Sequence, residues 1–311
     1  MTPQIFLHHY PASLFSEKIR VLLGYLDLPW HSVEISSTMP RPLLMPLSGG
    51  YRKTPTLQIG ANVYCDTAVI AAGLARHSGN QSLFQEGFVA NRVAEWADST
   101  LFRTTVALNF RPEAIGAFMG QLSEEEVARF QADRAELAGD APIVSLPPSA
   151  AIATFASLLT QLESSLGADF LFGDTPSIAD FSVYHCLWFV QNNPVNASMI
   201  TPFAAVSAWL ERMRAFGHGA QEDSDAELAL AHAKQCDPVA PELGESRALG
   251  DVLPAIGTKV SVTPTDYGQI PVAGVLVAAG ADELVIKRND PQAGDLMNHF
   301  PVIGFDTQSS D

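Results

Sequence analysis

The stretch KTPTLQIGANVYCDTAVI, residues 53–70, changes period halfway along. TPTLQIG has the composition of a strand, and ANVYC after a turn is its hairpin partner. DTAVIAAGLARH then shifts to helical spacing, with Val69, Ile70, Gly73 and Leu74 on the inward face. Asp66 and Thr67, both good capping residues, open that helix.

Upstream of this hairpin, QIFL at residues 4–7 reads as a buried strand. From Ser16 the apolar positions Ile19, Leu22, Leu23 and Leu26 share one helical face. HSVEI is a second short strand, and SSTMPRPLLMPLSGGYRK, rich in Pro, Ser and Gly, is a long loop. The first unit, residues 1–80, is therefore α/β in the order β-α-β, loop, β-β-α.

From Leu83 to Gln235 the signals are helical, giving an all-α unit over 83–236. NRVAEWADSTLFRTTVAL reads as one helix, with Val93, Trp96, Ala97 and Leu101 on one face. Ser123 and the acids after it suit a helix N-terminus. SIAD, residues 177–180, is a capping box with Asp180 in the acid position. CDPVAPELGESRALG is a linker, after which the period changes from 3.6 to 2. Residues 250–311 thus form a small all-β unit, with a barrel as its expected shape.

The 311 residues carry a net charge of -16. That balance argues against nucleic acid and against anionic membrane surfaces, which select basic patches. An anionic ligand must then find local cations. Cys65, Cys186 and Cys236 are widely spaced, form no CxxC, and read as reduced thiols of a cytoplasmic protein. No signal peptide or membrane-spanning run is evident. His8 and His9 have no neighbouring ligands at metal spacing and read as structural. No phosphate-binding loop, dinucleotide fingerprint, HExxH motif or nucleophile elbow occurs.

SLFSEKIR, KTPTL and YCDTAVI, in that order, resemble the thioredoxin-like N-terminal domain of cytosolic glutathione transferases. PSIADFSVYHCLWFV is similar to a helix start in the second domain of that family. The resemblance covers roughly residues 1–235 and implies a thioredoxin-like domain followed by a helical domain. It implies that glutathione is the substrate or cofactor, that no metal is needed, and that the protein is a homodimer. By resemblance Ser13 is the thiol-activating hydroxyl of the serine-type enzymes, and Tyr10 is the competing one. A hydroxyl at a helix N-terminus favours a thiolate by hydrogen bonding and by the end charge of the helix. Holding a thiol of pKa about 8.5 ionised at neutral pH requires roughly 2 kcal/mol.

Further along, Thr54-Pro55 matches the family's cis-proline, whose preceding residue pairs with the tripeptide backbone like an added strand. Lys53, with Arg52 beside it, is placed to meet the glycyl carboxylate. Asp66 and Thr67 stand where the family usually has Glu-Ser and would hold the γ-glutamyl end. Trp96, Phe102, Arg103 and Phe110 are candidates for a pocket that takes a small apolar electrophile. The implied function is activation of the glutathione thiol for attack on that electrophile, with dehalogenation or isomerisation using the same first step. The alternative is a non-catalytic binding or assembly module, with the C-terminal β unit as its partner contact. That unit has no counterpart in the two-domain family.

Overall fold

A computed structural model describes residues 3–120, 122–140, 146–243 and 252–310. The expected linker's residues 244–250, and with them the boundary at Gly250, lie outside the described residues. The N-terminal unit contains β1 (Ile5–His9), α1 (Leu14–Tyr25), β2 (Trp30–Glu34), the short α2 (Met45–Ser48), β3 (Thr56–Ile59), β4 (Asn62–Cys65) and α3 (Thr67–Ser78). β1 runs parallel to β2 and antiparallel to β3, and β3 and β4 form the expected hairpin. This is the thioredoxin-like arrangement. Gly73 lets α3 lie against the hairpin, because a Cβ there would meet the Tyr64 ring at 2.6 Å.

The helical unit comprises α4 (Gly87–Trp96), a π-turn at Ala97–Leu101, α5 (Phe102–Asn109), α6 (Pro112–Met119), α7 (Glu124–Ala138), α8 (Pro148–Ser165), α9 (Ile178–Gln191) and α10 (Ala204–Ala215). α9 is buried along nearly its whole length. At its start the Asp180 carboxylate accepts from the Ser177 N–H at 2.9 Å and hydroxyl at 3.0 Å, from the Leu171 N–H, and from Trp209 Nε1. The side chain thereby ties the helix start to α10 and to the preceding turn. No helix among the described residues is long and apolar enough to cross a membrane.

The single helix expected around Trp96 is broken by the π-turn. A π-turn holds more residues per turn than an α-helix and slips the phase of everything after it. The segment expected to be wholly helical up to Gln235 also contains β5 (Gln221–Ser224), which pairs in parallel with β2, before α11 (Ala226–Gln235).

The C-terminal strands β6 (Lys259–Pro264), β7 (Val272–Ala279), β8 (Glu283–Asp290), β9 (Gly294–Pro301) and β10 (Phe305–Ser309) are not a separate barrel. They continue the N-terminal sheet, whose ten strands run β10-β6-β7-β8-β9-β4-β3-β1-β2-β5. β9 pairs in parallel with β4, matching Val63 to Asn298 and Tyr64 to His299. The unpaired backbone groups of β4, an edge in the expected four-stranded sheet, are what the extension covers. One hydrophobic core spans the junction, with Leu47, Tyr51, Val63, Cys65 and Leu230 packed among Val260, Val272, Leu276, Ile286 and Phe300. His299 stacks on Tyr64 at 4.1 Å and bonds Glu283 at 2.6 Å, and Glu283 pairs with Arg76 of α3 at 2.7 Å.

His8 and His9 are buried in β1. His8 Nε2 meets Gln58 Oε1 at 3.3 Å, and His9 lies between Ser32 Oγ at 2.9 Å and Arg20 Nη1 at 3.0 Å. Burial pushes both down to about 4, with Arg20 and His218 adding to the effect at His9. Both are therefore neutral in the folded chain where an unfolded histidine, titrating near 6.5, already binds a proton. Their neutral form holds stability above pH ~6.5, and stability falls as pH drops from there toward 4, by roughly 3 kcal/mol for each histidine. Urea unfolding midpoints measured between pH 7 and 4 should show this slope, and His8→Asn should flatten part of it. A level profile in the native chain contradicts the assignment.

Candidate active site

The cleft is built around the N-terminus of α1. Ser13 is its N-cap and is buried, and Ser13 Oγ accepts from the Ser16 N–H at 3.2 Å. That bond uses a lone pair and leaves the hydroxyl proton available for donation. Ser16 is the helix-start residue, as its spacing suggests. The loop before Ser13 is braced from below by Arg20, which donates to the Pro11 carbonyl at 3.0 Å and the Tyr10 carbonyl at 3.4 Å.

The second wall is the turn before β3. The Thr54-Pro55 bond is cis. Thr54 makes no backbone hydrogen bond among the described residues, so it offers an open edge. Buried Arg41 holds this turn from behind, donating to Thr54 Oγ1 and the Arg52 carbonyl, both at 2.9 Å. Arg52 itself turns to α7, with Asp133 and Glu136 each at 2.9 Å.

The third wall is the start of α3. Asp66 has φ 113°, a conformation that costs an L-residue of order 1–3 kcal/mol, and its carboxylate caps the Ala68 N–H at 2.9 Å. Burial pushes its carboxyl up, against the Ala68 bond and Lys53. Thr67 Oγ1 accepts from Lys18 Nζ at 3.1 Å, so its proton too is free to donate.

Ser13, Tyr10, Lys53, Thr54, Pro55, Asp66, Thr67, Phe102 and Arg103 all line one cleft of about 180 Å³. Trp96 does not line it: it lies 38% exposed on α4, and the π-turn shifts it out of phase with Arg103, seven residues on. Phe102 packs on Phe15 with ring centroids 4.9 Å apart. Phe110 also lies outside the lining and packs on the helical core.

Several lining or supporting residues escaped the sequence reading. Lys18, fully buried, donates to Asp98 at 2.6 Å, and Asp98 also meets His185 at 2.9 Å and Ser182 at 3.3 Å. Burial alone pushes the Asp98 carboxyl up, but Lys18 and His185 outweigh it and hold it down at about 2. The clue in the sequence was a lysine inside an otherwise apolar helix face. Asp266 and Tyr267, from the loop between β6 and β7, also reach the cleft. Among the described residues no group of three His, Cys, Asp or Glu side chains is placed to hold a metal ion. Lys18→Met leaves the Asp98 charge without its closest cation and should cost about 3–5 kcal/mol in thermal or chemical unfolding. Adding Asp98→Asn should recover much of that loss, and equal losses in the single and double variants would contradict the pairing.

Comparison with known proteins identifies the family. The family model described as the glutathione S-transferase N-terminal domain matches residues 7–82, and that of the C-terminal domain matches residues 124–212. A solved GST-like protein from Pseudomonas syringae is 39% identical, with TM-score 0.78, over 98% of this chain and 100% of its own. Glutathione S-transferase III in its apo form shares the fold at 17% identity and TM-score 0.51, over 68% of this chain and 92% of its own. A Tau class enzyme from mango, Mangifera indica, does so at 14% identity and TM-score 0.50, over 68% and 89%. No curated protein matches the sequence. On the two domain matches and the full-length likeness to the Pseudomonas syringae protein, the chain belongs to the glutathione S-transferase family.

Proposed function

We propose that the cleft binds glutathione and that Ser13 stabilises its thiolate for attack on a small apolar electrophile. The observation that supports this most is the convergence of Ser13, Thr54 and the Asp66-Thr67 pair on one cleft. A tripeptide laid along the open Thr54 edge places its γ-glutamyl end at the N-terminus of α3. There the Thr67 hydroxyl donates to the α-carboxylate and Asp66 takes the α-ammonium. Its cysteinyl sulfur then faces Ser13, whose free proton and helix end favour the anion. The thiolate sulfur forms the new bond to the electrophile, whose leaving group departs with the electron pair.

In this reading residues 1–80 hold the tripeptide, residues 83–236 supply Phe102 and Arg103 to the electrophile, and the β6–β7 loop of the 250–311 unit completes the wall. The working unit is a cytoplasmic homodimer. The deciding experiment is retention on immobilised glutathione and elution by free glutathione. Absence of binding at millimolar concentration removes the enzymatic reading and leaves a non-catalytic module. A scattering mass near one chain would remove the dimer.

A further inference from the structure

The loop between β6 and β7 belongs to the C-terminal extension, yet it forms part of the cleft. Lys53 Nζ lies 2.5 Å from Asp266 Oδ1 and 4.3 Å from the centroid of the Tyr267 ring. The loop is seated firmly. The Gly268 N–H donates to the Leu137 carbonyl at the end of α7 at 2.7 Å. The Gln269 amide closes on the Thr265 and Asp266 carbonyls at 3.2 Å each. Gly268 has φ +65°, and a Cβ there would stand 3.0 Å from Leu137 Cδ1, so the fit of loop to helix depends on glycine.

The consequence is electrostatic. Lys53 is the cation placed to meet the far carboxylate of a tripeptide whose γ-glutamyl end sits at Asp66-Thr67, and Asp266 already neutralises it. Beside Lys53, Arg52 pairs with Asp133 and Glu136 and Arg134 pairs with Asp133 at 2.7 Å, while Arg103 lines the cleft from the α5 side. Asp66 adds a further carboxylate to the same cleft. A carboxylate arriving at Lys53 meets an ion pair already neutralised by Asp266, not a bare cation.

We infer that Asp266 and Tyr267 determine specificity, selecting γ-glutamyl-cysteinyl thiols whose far end is uncharged, an amide or an ester, over free glutathione. Tyr267 supplies the apolar face against which such an end rests. This inference rests on the proposed glutathione site.

Calorimetric titration of the full chain with glutathione and with its glycyl ethyl ester tests it without any variant. The native chain should bind the ester at least as tightly as glutathione. Asp266→Asn should tighten glutathione about fivefold, the size of one partly exposed charge pair, and leave the ester unchanged. Lys53→Met should weaken glutathione about fivefold, because it leaves Asp266 as an unpaired like charge, and should leave the ester unchanged. A native preference for glutathione over the ester of fivefold or more would overturn the inference while leaving the glutathione site intact, and so would weaker glutathione binding by Asp266→Asn. Failure of both ligands to bind the native chain overturns the site itself, and the inference falls with it.

Discussion

Ser13→Ala should lower kcat/KM for conjugation of glutathione by on the order of 30- to 100-fold, with the ultraviolet thiolate band of the complex lost at neutral pH. The size follows from the chemistry of one donor. Holding the thiol ionised takes about 1.5 pKa units below its ordinary value, and a charge-assisted hydrogen bond supplies most of that. The loss should lie in the thiolate step, so glutathione affinity should change far less than the rate. Stability should fall by about 1 kcal/mol as well, because Ser13 Oγ also caps the Ser16 N–H. Ser13→Thr keeps the hydroxyl and should restore part of the thiolate band. An unchanged band in Ser13→Ala would clear the serine and direct attention to Tyr10, which lines the same cleft.

Truncation after residue 243 should abolish the cooperative thermal transition of the remainder. The deletion strips the β4 edge of its partner and uncovers Leu47, Tyr51, Val63 and Leu230. Each large apolar side chain returned to water costs roughly 1.5–3 kcal/mol, so four are comparable with the 5–15 kcal/mol that holds an entire domain. Exposed strand edge and apolar surface together make the fragment aggregation-prone. A fragment that melts cooperatively and still binds glutathione would show that the extension is an accessory.

The turns and caps that line the cleft were legible because their signals are local. Local chemistry marked Ser13 and Asp66-Thr67 as caps and Thr54-Pro55 as a strand entry, and the resemblance to glutathione transferases is what singled them out together. Trp96 lies outside the cleft lining, because the π-turn at Ala97–Leu101 breaks the constant phase that would put it on the face of Arg103. The four-residue strand β5 was overlooked since QEDS is all polar and its pairing comes entirely from β2. The C-terminal strands were legible as strands through their period of two. Their docking was not, because a period identifies a buried face without naming the strand that borders it.

By itself the sequence determined the class of each segment, the thioredoxin-like order of the first unit and the three hydroxyl- or acid-bearing turns, all set by neighbours a few residues apart. Tertiary structure alone decided that β9 extends the sheet at β4 and that Lys18 lies beneath Thr67 against Asp98. It also decided that Asp266 reaches Lys53 across 213 positions of chain. Those partners come together only because edge pairing and a shared core fold the chain back on itself, and neither leaves a local mark at the residues it joins.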